Sequence, residues 1–357
     1  MTSRFRGGSD ESDSTTSGPT GISCTPCTAG PSVTRRSEDR TGDGSRRTLL
    51  AAGVGNASKK PTREMHPGAV LHGFEYRRVT TSGATINVAT CGRGDPLLML
   101  HGYPETHLMW RKIAPALTEE FTVVCPDLRG YGDSSKPEAM PDHSSYSKRA
   151  MADDMIEVMA ALGYREFSLA GHDRGGRVAY RLALDHPDAV RRLALLDIVS
   201  TKAVYEQVTM ALASGYFHWY FLIQPWPLPE TLLGQEPALW LQRFLPNSAA
   251  VGASTVAEYL RAFAKPESIH ATCEDYRAGA TIDLANDRAD VNAGHKITCP
   301  TLILWGARGV VGQLLNPLEM WRELVASPTG ESLDCGHFLA EEKPEETLRA
   351  LKRFFGS

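Results

Sequence analysis

The chain has 357 residues, with 38 Lys and Arg against 42 Asp and Glu and a formal net charge of −4 at pH 7. Residues 1–66 hold 10 of the basic and 7 of the acidic side chains, so the remainder lies near −7, without the clustered excess of base that a nucleic-acid surface needs. No run approaches the roughly 18 to 20 apolar residues that span a membrane. The seven cysteines (Cys24, Cys27, Cys91, Cys125, Cys273, Cys299 and Cys335) are odd in number and irregularly spaced, as free thiols of a reducing compartment are.

In chain order, residues 1–66 are rich in Ser, Thr, Gly, Asp and Arg without apolar periodicity and are expected to form a disordered tail. Cys24 and Cys27 stand there as a lone Cys-x-x-Cys with no second pair, which argues against a metal or redox site. Ser45-Arg46-Arg47-Thr48-Leu49-Leu50 has the look of a twin-arginine export signal, but the apolar run after it is short and interrupted. The expectation is a cytoplasmic protein, with export through Arg46 and Arg47 as the alternative and Met65 as a rival start.

From Phe74 the chain alternates like a strand pair, turning at Ser82-Gly83 and returning over 84–90. The period then changes to short, wholly apolar runs at 96–100, 122–125, 167–170, 193–196 and 301–305, the pattern of strands buried on both faces. Helical patterns at 146–162 and 178–185 lie between them, so the arrangement predicts a mainly parallel, doubly wound α/β sheet. Residues 200–293 show no such strand and are dense in aromatics. They are expected to be a helical cap above the carboxyl ends of the strands, inserted into a core made of 67–199 and 294–357.

The chemistry-bearing stretch is Gly171-His172-Asp173-Arg174-Gly175. A sharp strand-to-helix turn that presents a nucleophile needs small residues two positions on either side of it. Here the nucleophile is the carboxylate Asp173, suited to displacing a leaving group from an alkyl carbon and forming an ester. His337, in Cys335-Gly336-His337-Phe338, is the candidate base that deprotonates the water attacking that ester. Asp197 ends a predicted strand and is the candidate acid orienting His337, because Ala307-Arg308-Gly309, the other usual place, offers no carboxylate. After the strand at 96–100, His101-Gly102-Tyr103-Pro104 turns the chain so that a backbone N–H, that of Tyr103, can face an oxyanion. Asp127-Leu128-Arg129-Gly130-Tyr131-Gly132 reads as a structural turn, with Arg129 and Tyr131 as candidate lining residues.

Arg174 and Arg177 sit three apart at the start of the helix leaving the turn and could hold a substrate carboxylate by paired hydrogen bonds. The rival reading is a pair of arginines salt-bridged to nearby acids. Arg181, farther down the helix, is read as structural. For the leaving group, His218 and Trp219 in Tyr216-Phe217-His218-Trp219-Tyr220, and Tyr276, offer N–H and O–H donors, although aromatics in helices are more often core. The expected ligand is a small anion, and no metal or cofactor is required.

Together, Gly-His-Asp-Arg-Gly-Gly-Arg at 171–177, Phe217-His218-Trp219 and Cys-Gly-His-Phe at 335–338 resemble fluoroacetate dehalogenases, members of the α/β-hydrolase superfamily. The likeness runs from about Gly73 to the end and does not cover the tail. It implies an α/β-hydrolase fold in which Asp173 displaces halide from a 2-haloacid, Arg174 and Arg177 hold the carboxylate, and His218, Trp219 and Tyr276 bind the halide. Asp197 and His337 fall at the acid and base positions, and a homodimer is also implied. An epoxide hydrolase of the same fold is the alternative, since it too uses an aspartate but needs acidic donors, typically two cap tyrosines. Haloalkane dehalogenases usually carry a tryptophan where Arg174 stands.

Overall fold

Eight strands hydrogen-bond into one sheet, in the order β1-β2-β4-β3-β5-β6-β7-β8, in a computed structural model that describes residues 71–245 and 248–356. The strands are β1 Glu75–Thr80, β2 Thr85–Gly92, β3 Asp95–Leu100, β4 Phe121–Pro126, β5 Phe167–His172, β6 Val190–Leu196, β7 Thr301–Gly306 and β8 Pro328–Leu333. β1 and β2 are antiparallel, and all pairs from β4 to β8 are parallel. The expectations for the tail, including Cys24, Cys27, Arg46, Arg47 and Met65, lie outside the described residues. Cys91, Cys125, Cys273, Cys299 and Cys335 are free thiols.

Each wholly apolar run falls on a central strand. Leu97, Leu98, Met99 and Leu100 are completely buried, as are Leu193 to Leu196, and full burial of one such side chain contributes roughly 1.5–3 kcal/mol. β8 is the strand that the apolar runs do not announce. It is one of the sheet's two edges, its sequence Pro-Thr-Gly-Glu-Ser-Leu has no buried side chain, and an edge strand needs only one partner. Its Gly330 lies against β7 so closely that a Cβ would stand 2.1 Å from the Ile303 carbonyl oxygen.

Helix α1, Lys148–Ala161, starts where Ser147 accepts the Ala150 N–H through its side chain. Helix α2 is Asp173–Asp185, five residues longer at its start than the pattern at 178–185 predicts. Gly175 and Gly176 are poor helix formers and mask its first turn. Between β6 and β7 the described residues from Thr201 to Ala293 form only helices and turns, among them α3 Phe217–Phe221, α4 Pro237–Phe244 and α5 Pro266–Ala278. One turn of π-helix, Gly279–Asp283, follows α5. Among the described residues no helix is long and apolar enough to cross a membrane.

The strand order fixes where a site can form. After β3 the chain crosses to β4 on one side, whereas after β5 it crosses to β6 on the other. A crevice therefore opens beyond the carboxyl ends of β3 and β5, the usual ligand position in open α/β sheets.

Candidate active site

Asp173 stands at the carboxyl end of β5 with φ +47°, in the left-handed region that costs a non-glycine residue conformational energy. The turn is possible because the glycines around it have no side chain. A Cβ on Gly175 would stand 2.3 Å from the His101 carbonyl oxygen, and one on Gly171 would stand 2.6 Å from the Gly175 carbonyl oxygen. The Tyr103 N–H, just past β3, donates to Asp173 Oδ1 at 2.9 Å. Burial pushes the Asp173 carboxyl up, but His337, His172, Arg174 and the Tyr103 N–H outweigh it and hold the group down at about 2.

Asp197 follows β6 with φ +51°. Its Oδ1 accepts the Gly306 N–H from the end of β7 at 2.8 Å, and its Oδ2 accepts His337 Nδ1–H at 2.5 Å. The last residue of β7 thus helps hold the acid that follows β6. His337 Nε2 lies 3.9 Å from Asp173 Oδ2. Its loop is fixed by Glu342, which accepts the N–H groups of Gly336 and Phe338. Burial alone would lower the imidazole, but the Asp197 hydrogen bond and the charges of Asp197, Asp173 and Glu105 raise it to about 9.

Beside this trio both arginines are buried, and their surroundings differ. Arg174 donates from Nε and Nη2 to the two oxygens of Asp275, at 2.9 and 2.7 Å, so the salt-bridge reading holds for it. Arg177 donates from Nη1 to the Val199 carbonyl oxygen and Thr201 Oγ1, at 3.0 and 3.1 Å. Arg174 Nη1 and Arg177 Nε are buried without a hydrogen-bond partner. Arg181 pairs with Asp185, Asp287 and Asp290.

His218, Trp219 and Tyr276 come together over the arginines. The His218 and Tyr276 rings are 5.6 Å apart and those of Trp219 and Tyr276 5.8 Å, with the Arg174 guanidinium 4.2 Å from the Tyr276 ring and that of Arg177 4.3 Å from the Trp219 ring. His218 Nδ1 and Tyr276 Oη are also buried without partners. Burial lowers His218 to about 3, so its imidazole is neutral at pH 7, and burial raises the Tyr276 hydroxyl well above its ordinary value. Asp173, Asp197, His337, Arg174, Arg177, His218, Trp219, Tyr276 and Tyr103 are thus brought to one crevice. Unpaired N–H and O–H groups facing a carboxylate at a sharp turn suit an anion whose charge shifts during reaction.

Several residues of the site carry no motif. His172 Nδ1 lies 3.1 Å from Glu105 Oε2 and its Nε2 lies 2.9 Å from the His337 carbonyl oxygen, so both ring nitrogens face acceptors. Asp275 and Lys148 are buried beside Arg174, and Tyr131 donates to Asp275. The signal available in sequence was weak: Asp275 immediately precedes Tyr276, and Tyr131 belongs to the turn after β4. Among the described residues no group of three His, Cys, Asp or Glu is placed to hold a metal.

A sequence model of the alpha/beta hydrolase fold matches residues 95–344. A fluoroacetate dehalogenase from Burkholderia sp is 44% identical over 290 residues, spanning 80% of this chain and 95% of its own. A soluble epoxide hydrolase from Corynebacterium sp. (strain C12) is 34% identical, spanning 78% and 96%. The crystal structure of an alpha/beta hydrolase from Nostoc sp PCC 7120 superposes with a TM-score of 0.78 at 52% identity, spanning 80% of this chain and 99% of that one. A sheet of this order, with a strained acidic turn at its switch point and relatives of this kind, makes the chain an enzyme, a hydrolase belonging to the α/β-hydrolase family.

Proposed function

We propose that the chain hydrolyses short 2-haloalkanoates, converting a haloacetate and water to glycolate and halide through an ester on Asp173. The observation that carries this reading is the pair of buried arginines with unpartnered N–H groups beside a carboxylate in the turn that presents nucleophiles. Similarity to a fluoroacetate dehalogenase supports it. The substrate carboxylate sits against Arg174 and Arg177, which aligns its α-carbon with an Asp173 oxygen. That oxygen forms a bond to the α-carbon as the carbon–halogen bond breaks, and the leaving halide takes the bonding pair toward His218, Trp219 and Tyr276.

The second half returns the enzyme. His337 takes a proton from water, and the resulting hydroxide adds to the Asp173 carbonyl carbon. The Tyr103 N–H steadies the oxyanion, which collapses to free Asp173 and release glycolate. The proton on His337 then passes to solvent, so the overall products are glycolate, halide and one proton.

Epoxide hydrolysis is the second reading, favoured by the epoxide hydrolase similarity and by two buried hydroxyls, Tyr103 and Tyr276. It ranks lower because a neutral epoxide would leave Arg177 buried without a counter-charge. Purified protein incubated with fluoro-, chloro- and bromoacetate is expected to release halide, and His337→Asn is expected to accumulate a carboxymethyl adduct on Asp173 by intact mass. Turnover of an epoxide with no halide released from any haloacetate would reverse the ranking.

A further inference from the structure

The two arginines expected to share one task stand in opposite electrostatic surroundings. Arg174 makes a two-pronged ion pair with Asp275, and its Nη2 also donates to the Asp275 carbonyl oxygen at 2.8 Å. Asp275 is itself saturated, because Lys148 Nζ donates to Oδ1 and Tyr131 Oη donates to Oδ2 at 2.6 Å. Asp283 closes the group, with Oδ2 3.9 Å from Lys148 Nζ and Oδ1 accepting the Lys148 backbone N–H at 2.8 Å. The cluster holds two cations and two carboxylates, all buried. Arg177 is different: it meets only neutral acceptors, and among the described residues no carboxylate lies within 4 Å of its guanidinium.

A charge already paired at hydrogen-bond distance projects little net field into a neighbouring pocket, whereas an unpaired buried cation projects all of it. An Asp–Arg fork also fixes a planar guanidinium and leaves one edge free, here Nη1. We propose that Arg177 supplies the charge that selects a carboxylate, while Arg174, fixed by the positioning residue Asp275, supplies an oriented hydrogen-bond donor that sets the approach to Asp173. The proposal rests on the haloacid reading. It assigns anion selectivity to one arginine and substrate alignment to the other.

The test compares kcat/KM for chloroacetate with that for chloroacetamide, its neutral isostere, in variants of the whole chain. Arg177→Gln is expected to lower the acid-to-amide ratio by about 10- to 100-fold, the size of a charged hydrogen bond. Arg174→Gln is expected to lower kcat for both substrates by more than about tenfold while the ratio changes by less than about threefold. Asp275→Asn is expected to lower kcat and to leave the ratio at or above its starting value, because it uncovers the Arg174 charge. If that variant fails to fold, Lys148→Met/Asp275→Asn keeps the buried charge sum and carries the same expectation for kcat. Arg177→Lys is expected to keep the ratio, and Arg174→Lys to lose kcat. An equal fall in the ratio for Arg174→Gln and Arg177→Gln would overturn the proposal.

Calorimetric titration with acetate and acetamide reads the same asymmetry without turnover. A chain that binds acetate through Arg177 and releases no halide would keep the arginine assignment and sink the dehalogenase reading. Halide release with equal arginine losses would do the reverse, and a chain that neither turns over nor binds acetate would sink both.

Discussion

At the scale of single residues the site has a timing problem that its electrostatics answer. His337 at about 9 carries a proton at neutral pH, yet the second half of the proposed cycle needs it neutral. One group raising it is the Asp173 carboxylate, and esterification of Asp173 removes that charge just when the base is required. The first half needs only ionised Asp173, which at about 2 is present throughout the working range. Halide release in a single turnover is therefore expected to be flat between about pH 5 and 9, while ester breakdown rises with pH and levels off below the resting value of His337. Rapid-quench measurement of the two phases checks this, and a parallel acid limb in both would refute it. The same shifts govern stability. His337, raised from 6.5 to about 9, contributes stability that is complete below about pH 6.5 and is lost as pH rises through 9. Asp173, lowered from 3.8 to about 2, contributes stability present above pH 3.8 and lost as pH falls through 2.

Elements decide how closely these groups approach, and the turn between β5 and α2 is the tightest. A methyl at Gly175 would meet the backbone of His101 and Leu100 at 2.3 and 2.6 Å, and backbone can yield only by moving β3. At Gly176 the nearest contact is Ile198 Cδ1, at 2.7 Å, the mobile end of a side chain. Gly175→Ala is expected to cost about 2–3 kcal/mol in denaturant unfolding and most of the activity, and Gly176→Ala distinctly less; equal costs would contradict the close-approach argument. This element was legible in sequence because its chemistry and its geometry both need residues at fixed offsets. The order of Asp173, Asp197 and His337 was legible too, because Asp173 and Asp197 each stand just after a buried strand and His337 lies in a glycine-containing loop ahead of the last helix. β8 was not, because an edge strand is satisfied by hydrogen bonds on one side and needs no apolar run. Nor was the Asp275–Lys148–Asp283 group. Those residues lie 127 and 135 positions apart in sequence and are joined only by folding, where burial forces each charge to find a partner.

Over the whole molecule, the helices between β6 and β7 are joined to the rest by buried polar ties as well as by apolar contact. Tyr180 Oη donates to Asp287 at 2.8 Å, Arg181 reaches Asp287 and Asp290, Lys148 and Tyr131 reach Asp275, and Arg111 donates to the Val251 carbonyl oxygen. Arg174 and Tyr276 belong to different sides of this junction and form one pocket wall, so the site exists only while the two sides stay docked. Separating them would break these ties together and expose the apolar surface between them to water, at about 25 cal/mol per Å². Residues 71–356 are therefore expected to unfold in one cooperative transition, with the calorimetric and van't Hoff enthalpies agreeing. Arg181→Ala removes a cation from beside Asp287, where both side chains are almost wholly buried, far from Asp173 along α2. It is expected to lower stability by about 3–5 kcal/mol and to shift that single transition without splitting it. A scan with two separate transitions, or an Arg181→Ala protein in which halide release fails at a temperature where the β-sheet remains intact by circular dichroism, would mean that the helices between β6 and β7 undock on their own.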